Sequence, residues 1–188
     1  MPRAEPTERP LLPQGAELAS PVTRTKVYAS LALALAATLL PWAEQIQWLV
    51  PDFTLMLLLY WNTREPRLAG LGAAFTLGLI TDVARGVLMG LNALSYCAAT
   101  FVALLVQRRL AGFDAPRQTL QLAPILLAKE ALVLTLGLMM GRGEADWRWL
   151  AAGAMAGLLW LPLALLMDRI TGRPAHSGLT GMAPWSRP

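Results

Sequence analysis

The sequence from Pro51 to Tyr96, PDFTLMLLLYWNTREPRLAGLGAAFTLGLITDVARGVLMGLNALSY, determines how the rest of this chain is organised. It predicts an apolar helix, a short turn that carries Arg64 and Arg67, a second apolar helix and the start of a third. Within the middle helix, three small residues and an acid recur every four positions, so they share one face. These residues are Gly70, Ala74, Gly78 and Asp82.

The small residues on this face predict close packing against another helix, with Asp82 turned towards protein. Small side chains allow a second helix backbone to approach closely, which is how helices associate in lipid. An ionised carboxylate that faced acyl chains would cost about 3 kcal/mol or more. Arg85 follows three residues later on the same face, so we expect it to be the counter-ion of Asp82.

The composition of the whole chain predicts an integral membrane protein with one membrane domain. Of its 188 residues, 55% are hydrophobic and 15% are charged, whereas a soluble domain carries about 25% charged residues. The apolar residues form long blocks that lack the polar face of a soluble amphipathic helix. The net charge of +4 is spread over the loops, so we expect no nucleic-acid partner.

Six apolar segments predict an all-α bundle of six transmembrane helices. Their approximate bounds are 26–43, 49–63, 68–90, 91–107, 118–140 and 149–168. The second segment is short for a bilayer core of about 30 Å, so we expect neighbouring protein to cover part of it. Pro51 suits the first turn of this helix, and Asp52 complements its positive N-terminus. Together the segments define a membrane domain over residues 24–170.

The distribution of Lys and Arg predicts that both termini lie in the cytoplasm, because cytoplasmic loops carry the excess of these residues. Arg142 and Arg148 fall on one side of the membrane, and Arg85 and Lys129 fall within spans. The other twelve of the 16 fall on the side of the termini: Arg3, Arg9, Arg24, Lys26, Arg64, Arg67, Arg108, Arg109, Arg117, Arg169, Arg173 and Arg187. The composition of residues 1–23 and 171–188 predicts disordered cytoplasmic tails.

Lys129 and Glu130 place a second pair of charges near the middle of the fifth segment. Adjacent residues on a helix point about 100° apart, so we expect each to find its partner elsewhere. With Asp82 and Arg85 they form a predicted buried polar network that fixes how the third and fifth segments pack. Ionisable groups in membranes also mark ion or substrate paths. However, no broken helix or repeat of halves indicates transport, so structural packing is favoured over partner binding and proton coupling.

A second close-packing face is predicted in the last segment, where Gly153 and Gly157 have the GxxxG spacing. Such a spacing lets two helices approach closely in a membrane. We expect this face, like that of Gly70, Ala74 and Gly78, to contact either another helix of the bundle or a partner.

The residues needed for catalysis do not occur within the apolar segments. The one histidine, His176, lies in the C-terminal tail, and Cys97 is the one cysteine. A Ser-His-Asp triad needs a histidine at the site, and the chain has no Walker or HExxH motif. A lone cysteine builds neither an intramolecular disulfide nor a cysteine metal site. We therefore expect no enzymatic activity, no cofactor and no metal.

The stretch that opens this section resembles the bacterial rod-shape-determining MreD family. The resemblance is carried by an ordered set of motifs rather than by a single one. The set comprises Pro51 and Asp52, the Leu-rich run that ends in Tyr60 and Trp61, the turn from Arg64 to Arg67, Asp82 in GLITD, and Gly90 before Asn92, Ala93, Leu94, Ser95 and Tyr96.

The resemblance implies a non-enzymatic, multi-pass scaffold in the bacterial inner membrane that helps organise peptidoglycan synthases and maintain cell shape. In that family the protein works with MreC, MreB, RodA and a class B penicillin-binding transpeptidase, among membrane lipids. The family is also similar in fold to the S components of energy-coupling-factor transporters. The alternative is therefore a substrate-binding subunit of a vitamin-type transporter, with a polar cavity near the outer face lined by Asn92, Tyr96 and Glu130.

Overall fold

Seven α-helices make up most of the computed structural model, which describes residues 23–110, 115–141 and 147–171. The helices are α1 (Arg24–Leu39), α2 (Glu44–Gln47), α3 (Phe53–Arg64), α4 (Leu71–Ala84), α5 (Leu91–Leu110), α6 (Ala115–Met139) and α7 (Leu150–Thr171). A 3-10 turn, Trp147–Trp149, leads into α7. No strand occurs within the described residues, so the predicted all-helical class is confirmed there. The predicted tails lie almost wholly outside them.

Helix α3 lies at the centre of the bundle. Its residues from Thr54 to Asn62 are all buried, and it contacts α1, α4, α5 and α7. Its 12 residues give a length of about 18 Å, well short of a bilayer core. Neighbouring protein therefore covers this helix, as its short length led us to expect.

Two helix ends differ from the sequence-based expectation. Helix α3 begins at Phe53 with Asp52 as its N-cap, so Pro51 precedes the cap instead of occupying the first turn. Helix α4 ends at Ala84, whereas an apolar segment reaching residue 90 was expected. Between α4 and α5, Gly86 and Gly90 have φ angles of 59° and 100°. Glycine adopts this left-handed region without a steric cost, so the chain turns here instead of continuing as a helix.

The small residues of the predicted packing faces contact helices of this same chain. A Cβ on Gly78 would lie 2.4 Å from the Cα of Ala93, so α4 and α5 touch backbone to backbone at this point. A Cβ on Gly153 would lie 3.1 Å from the Cα of Leu127, and one on Gly157 would lie 3.0 Å from the Cβ of Ala123. These two glycines therefore bring α7 close to α6.

The other two residues of the first packing face occupy different positions on α4. Ala74 is fully buried within the core. Gly70 caps the start of α4, and a Cβ there would lie 2.9 Å from the carbonyl oxygen of Pro66. Gly70 therefore serves the tight turn before α4 instead of a contact between two helices.

Within the described residues, two segments have the length and hydropathy needed to cross a membrane: Thr119–Met139 and Trp147–Thr171, with mean hydropathies of 1.8 and 2.0. Helix α4 and the segment Leu91–Val106 are apolar but shorter. Large apolar side chains also face outwards around the bundle, among them Leu33, Leu105, Leu120 and Leu158. An extended apolar exterior of this kind is typical of a surface that contacts lipid. The count of six crossings stays a prediction.

Candidate functional site

Four buried residues from the start of α3, from α5 and from α6 meet in one charged group, which we call the Asp52 cluster: Asp52, Tyr96, Lys129 and Glu130. Lys129 Nζ lies 3.0 Å from Asp52 Oδ2 and 3.0 Å from Glu130 Oε1. The Tyr96 hydroxyl donates to Asp52 Oδ2 at 2.6 Å. The backbone N–H of Leu55 donates to Asp52 Oδ1 at 3.1 Å. One ammonium group therefore serves two carboxylates, and Asp52 also caps α3.

The prediction that Lys129 and Glu130 cannot pair with each other is wrong. Their Cα–Cβ bonds point about 100° apart around the helix, but both side chains are long enough to bend towards the same point. Asp52 at the start of α3 supplies the third charge there. Breaking a buried ion pair by removing one partner costs about 3–5 kcal/mol, because the remaining charge is left without compensation.

Asp82 makes a separate contact with the first turn of α5. Its carboxylate accepts hydrogen bonds from the backbone N–H groups of Gly90 and Asn92, both at 2.9 Å, and of Ala93 at 3.3 Å. The side-chain amide of Asn92 donates a fourth bond at 2.9 Å. A carboxylate at a helix N-terminus satisfies N–H groups that have no partner within the helix and interacts favourably with the helix dipole. Asp82 is therefore stabilised without a cation.

The predicted pair of Asp82 and Arg85 does not form. Arg85 is exposed and follows the last residue of α4 as its C-cap. Its guanidinium donates instead to the backbone oxygen of Thr38 at 3.4 Å. The four charges predicted to form one network are thus divided among the Asp52 cluster, the cap of α5 and an exposed arginine.

A cavity of about 550 Å³ adjoins the Asp52 cluster, and we call it the charged cavity. It lies at the end of the bundle where α1 and α4 end and α3 and α5 begin. Its charged lining residues are Asp52, Arg85, Lys129 and Glu130, and the neutral polar ones are Thr38, Gln47 and Asn92. Aromatic and aliphatic side chains complete the wall, among them Trp42, Val133, Leu134 and Trp149. Tyr96 is fully buried behind Asp52 and is not part of the lining.

A second charged group lies at the opposite end of α3, and we call it the Asp168 cluster: Tyr60, Arg64 and Asp168. The Tyr60 hydroxyl donates to Asp168 Oδ1 at 2.7 Å. Arg64 Nη2 lies 2.8 Å and 3.0 Å from the two oxygens of Asp168, and its guanidinium carbon lies 4.0 Å from the Tyr60 ring centroid. This cluster ties the C-terminal end of α3 to that of α7.

Asp168 was not identified as a candidate from the sequence. The available signal was its position in the last turn of an apolar segment, where a buried carboxylate needs a partner. The remaining motif residue, Trp61, donates its indole N–H to Ser30 Oγ at 2.9 Å, which ties α3 to α1. The motif side chains therefore join helices of the bundle to each other.

Metal ligation finds no support in the described ranges, where no group of three or more His, Cys, Asp or Glu residues is placed to hold an ion. The carboxylates of the Asp52 cluster are held by Lys129, Tyr96 and a backbone N–H. These carboxylates therefore already have donors within the protein itself.

Comparisons with known proteins agree with the motifs described above. The model of the family "rod shape-determining protein MreD" matches residues 23–170. A rod shape-determining protein MreD from Haemophilus influenzae is 25% identical over 138 residues, which cover 73% of this chain and 85% of that protein. No solved structure matches the chain. The resemblance noted in the sequence is therefore confirmed, and the chain belongs to the rod shape-determining protein MreD family, a family of membrane proteins.

Proposed function

We propose that this chain is a non-enzymatic scaffold of the bacterial inner membrane that binds MreC and helps organise the peptidoglycan synthases of the cell-elongation complex. Membership of a rod-shape-determining family supports the role in cell shape. The observation that carries the binding function is the charged cavity, because a concave site with charged groups and apolar walls suits recognition of a partner segment.

The orientation of the charged cavity follows from the six crossings that we propose, with both termini in the cytoplasm. Arg24 begins α1, Arg64 ends α3 and Arg169 lies in the last turn of α7, so these arginines share the end of the bundle opposite the cavity. Because the basic end faces the cytoplasm, the cavity opens to the outer side. A partner with one membrane anchor and an outer domain would meet it there with its juxtamembrane segment.

A scaffold role also agrees with the chemistry of the cavity. Lys129 is held between Asp52 and Glu130, so these charges stabilise each other. The wider complex that we propose contains RodA, a class B penicillin-binding transpeptidase and MreB, with MreC as the direct partner. Basic residues in the cytoplasmic loops, such as Arg67, contact acidic lipid headgroups, because the negative surface of the membrane attracts their positive charge.

The test is a detergent pull-down of the tagged full-length chain from its native membrane, with co-purifying proteins identified by mass spectrometry. We expect a single-pass protein with a periplasmic coiled coil, together with wall synthases. Leu134→Trp fills the charged cavity and should reduce this recovery. Leu158→Trp adds the same bulk to an exposed position on α7 and should not. Equal recovery with both variants would argue against the cavity as the binding site.

A substrate-binding subunit of a small-molecule transporter is the second candidate. Its favourable observation is the same cavity. Asn92 and Glu130 line it as predicted, whereas Tyr96, the third predicted lining residue, is buried and does not. The volume falls within the range of about 300–1,000 Å³ for small-molecule sites. Native mass spectrometry of the purified chain separates the two candidates. A bound small molecule, with ATPase subunits in the pull-down, would replace the scaffold function by transport.

A further inference from the structure

Arg85 is the charged side chain of the cavity that makes no ion pair within the part of the chain that the structure describes. The other three charged residues of the lining pair with one another at 3.0 Å in the Asp52 cluster. Arg85 is exposed, and it donates a long hydrogen bond of 3.4 Å to the Thr38 carbonyl oxygen. A guanidinium carries five N–H donors in a fixed planar fork, so most of its donors remain available to an occupant of the cavity.

Topology does not explain an arginine at this position. The excess of basic residues lies at the opposite end of the bundle, which is the cytoplasmic end, and Arg85 lies at the other. Asp82, the nearest acid along the chain, is satisfied by the N-terminus of α5. The Asp52 carboxylate attracts the guanidinium without forming an ion pair with it, so most donors of Arg85 stay available to an occupant of the cavity.

We propose that Arg85 is the specificity-determining residue of the charged cavity and that it binds a carboxylate on the juxtamembrane segment of a membrane-anchored protein partner. The guanidinium fork matches a carboxylate in a bidentate geometry. Trp42, Val133 and Leu134 line the same cavity with apolar surface, so we expect the segment to carry an Asp or Glu flanked by apolar side chains. This inference rests on the proposed scaffold function and adds the chemistry of the contact.

The shape of the cavity favours a protein segment over a lipid headgroup. Lipids contact the flanks of the bundle, whereas the cavity lies between helix ends. Its wall is built from α1, α4, α5, α6 and the 3-10 turn, for example by Leu39, Ala84, Leu91, Val133 and Trp149. A partner segment that lies along the outer surface of the inner membrane can place a side chain in the charged cavity.

The experiment compares Arg85→Gln and Arg85→Lys with a matched control, Arg169→Gln, which removes an exposed arginine from the opposite end of the bundle. Partner binding by the full-length purified variants is measured in detergent, and their thermal unfolding is measured in parallel. We expect Arg85→Gln to weaken binding about tenfold or more, as the loss of a charged hydrogen bond does. Arg85→Lys should be intermediate because it keeps the charge but lacks the fork. Arg169→Gln should bind normally, and all three should unfold at the wild-type temperature.

A photo-crosslinking residue in place of Val87, which lines the cavity beside Arg85, identifies the occupant. We expect cross-links to a peptide that contains Asp or Glu, and reversal of the two charges, Arg85→Glu with the partner's acid changed to Lys, should restore binding. A cross-linked lipid, or wild-type binding by Arg85→Gln, would overturn the role of Arg85 while leaving the scaffold function standing. Recovery of no partner by the wild-type chain would overturn both.

Discussion

The carboxylates of Asp52 and Asp82 each cap the start of a helix, although Asp82 itself lies near the end of α4. Asp52 accepts the N–H of Leu55 at the start of α3, and Asp82 accepts three N–H groups at the start of α5. Each carboxylate meets the positive end of a helix dipole. They differ in that Asp52 also pairs with Lys129, whereas Asp82 accepts hydrogen bonds from neutral backbone and amide N–H groups. Loss of the two side chains should therefore have different consequences.

Replacement of Asp82 tests its role as a cap. Asp82→Ala leaves the N–H groups at the start of α5 without their acceptor, and we expect a loss of about 2 kcal/mol or more in the free energy of unfolding. Asp82→Asn keeps one acceptor oxygen and should lose less. Thermal unfolding in detergent measures both changes. Arg85→Ala is the control and should unfold near the wild-type temperature. A loss as large as that of Asp82→Ala would indicate that the two side chains act as a pair.

Removal of Lys129 tests the Asp52 cluster. Lys129→Met keeps most of the side-chain volume but leaves Asp52 and Glu130 buried without their cation, so we expect a loss of about 3–5 kcal/mol. The triple variant Lys129→Met, Asp52→Asn, Glu130→Gln removes both negative charges as well and should recover much of the stability. Folded yield and thermal unfolding are the measurements. If the single variant proved as stable as wild type, the cluster would not hold α6 to α3.

At the scale of helices, α4 and α5 form a hairpin whose two helices meet at a glycine. A Cβ on Gly78 would lie 2.4 Å from the Cα of Ala93, whereas one on Gly72, on the same helix, meets no atom within 4 Å. We expect Gly78→Ala to force the helices apart and lower the unfolding temperature by several degrees. Gly72→Ala should be neutral or slightly stabilising, because alanine is the better helix former. Equal effects of the two substitutions would show that the close contact is unimportant.

The presence of the long helices was predictable because each apolar block is long and bounded by Pro, Gly or charged residues. The ends were less predictable. The apolar pattern continues through Val87 and Leu88, so nothing in it marks the end of α4 at Ala84. The turn depends on the positive φ angles of Gly86 and Gly90 and on the contact between Asp82 and the start of α5. The hydrophobic pattern of the sequence indicates neither of them.

The sequence indicated which residues belong to the candidate site better than it indicated which of them contact each other. Lys129 and Glu130 stood out because charges are rare in apolar segments, and the structure brings them to the same cluster as Asp52. Their partners could not be assigned, because long side chains reach atoms that helix angles alone do not indicate. Asp52 was noted for its place at a helix start, and only the packing of α3 against α5 brings it to Tyr96.

At the scale of the whole molecule, α3 connects two ends of different character. At its N-terminus the Asp52 cluster adjoins the charged cavity, and at its C-terminus the Asp168 cluster ties it to α7. Because α3 is buried along its length, it holds both clusters at a fixed separation. The scaffold that we propose therefore has a rigid centre, with recognition confined to the end that carries the cavity.

The orientation of this axis across the membrane is a further prediction, and the scaffold function depends on it. In a Cys97→Ala background, we expect Trp147→Cys, in the exposed turn before α7, to react with a membrane-impermeant maleimide in intact spheroplasts. Ser177→Cys, in the C-terminal segment, should react only after the membrane is disrupted, because we expect the basic end to face the cytoplasm. The opposite labelling pattern would turn the charged cavity towards the cytoplasm, where the outer segment of a membrane-anchored partner cannot reach Arg85.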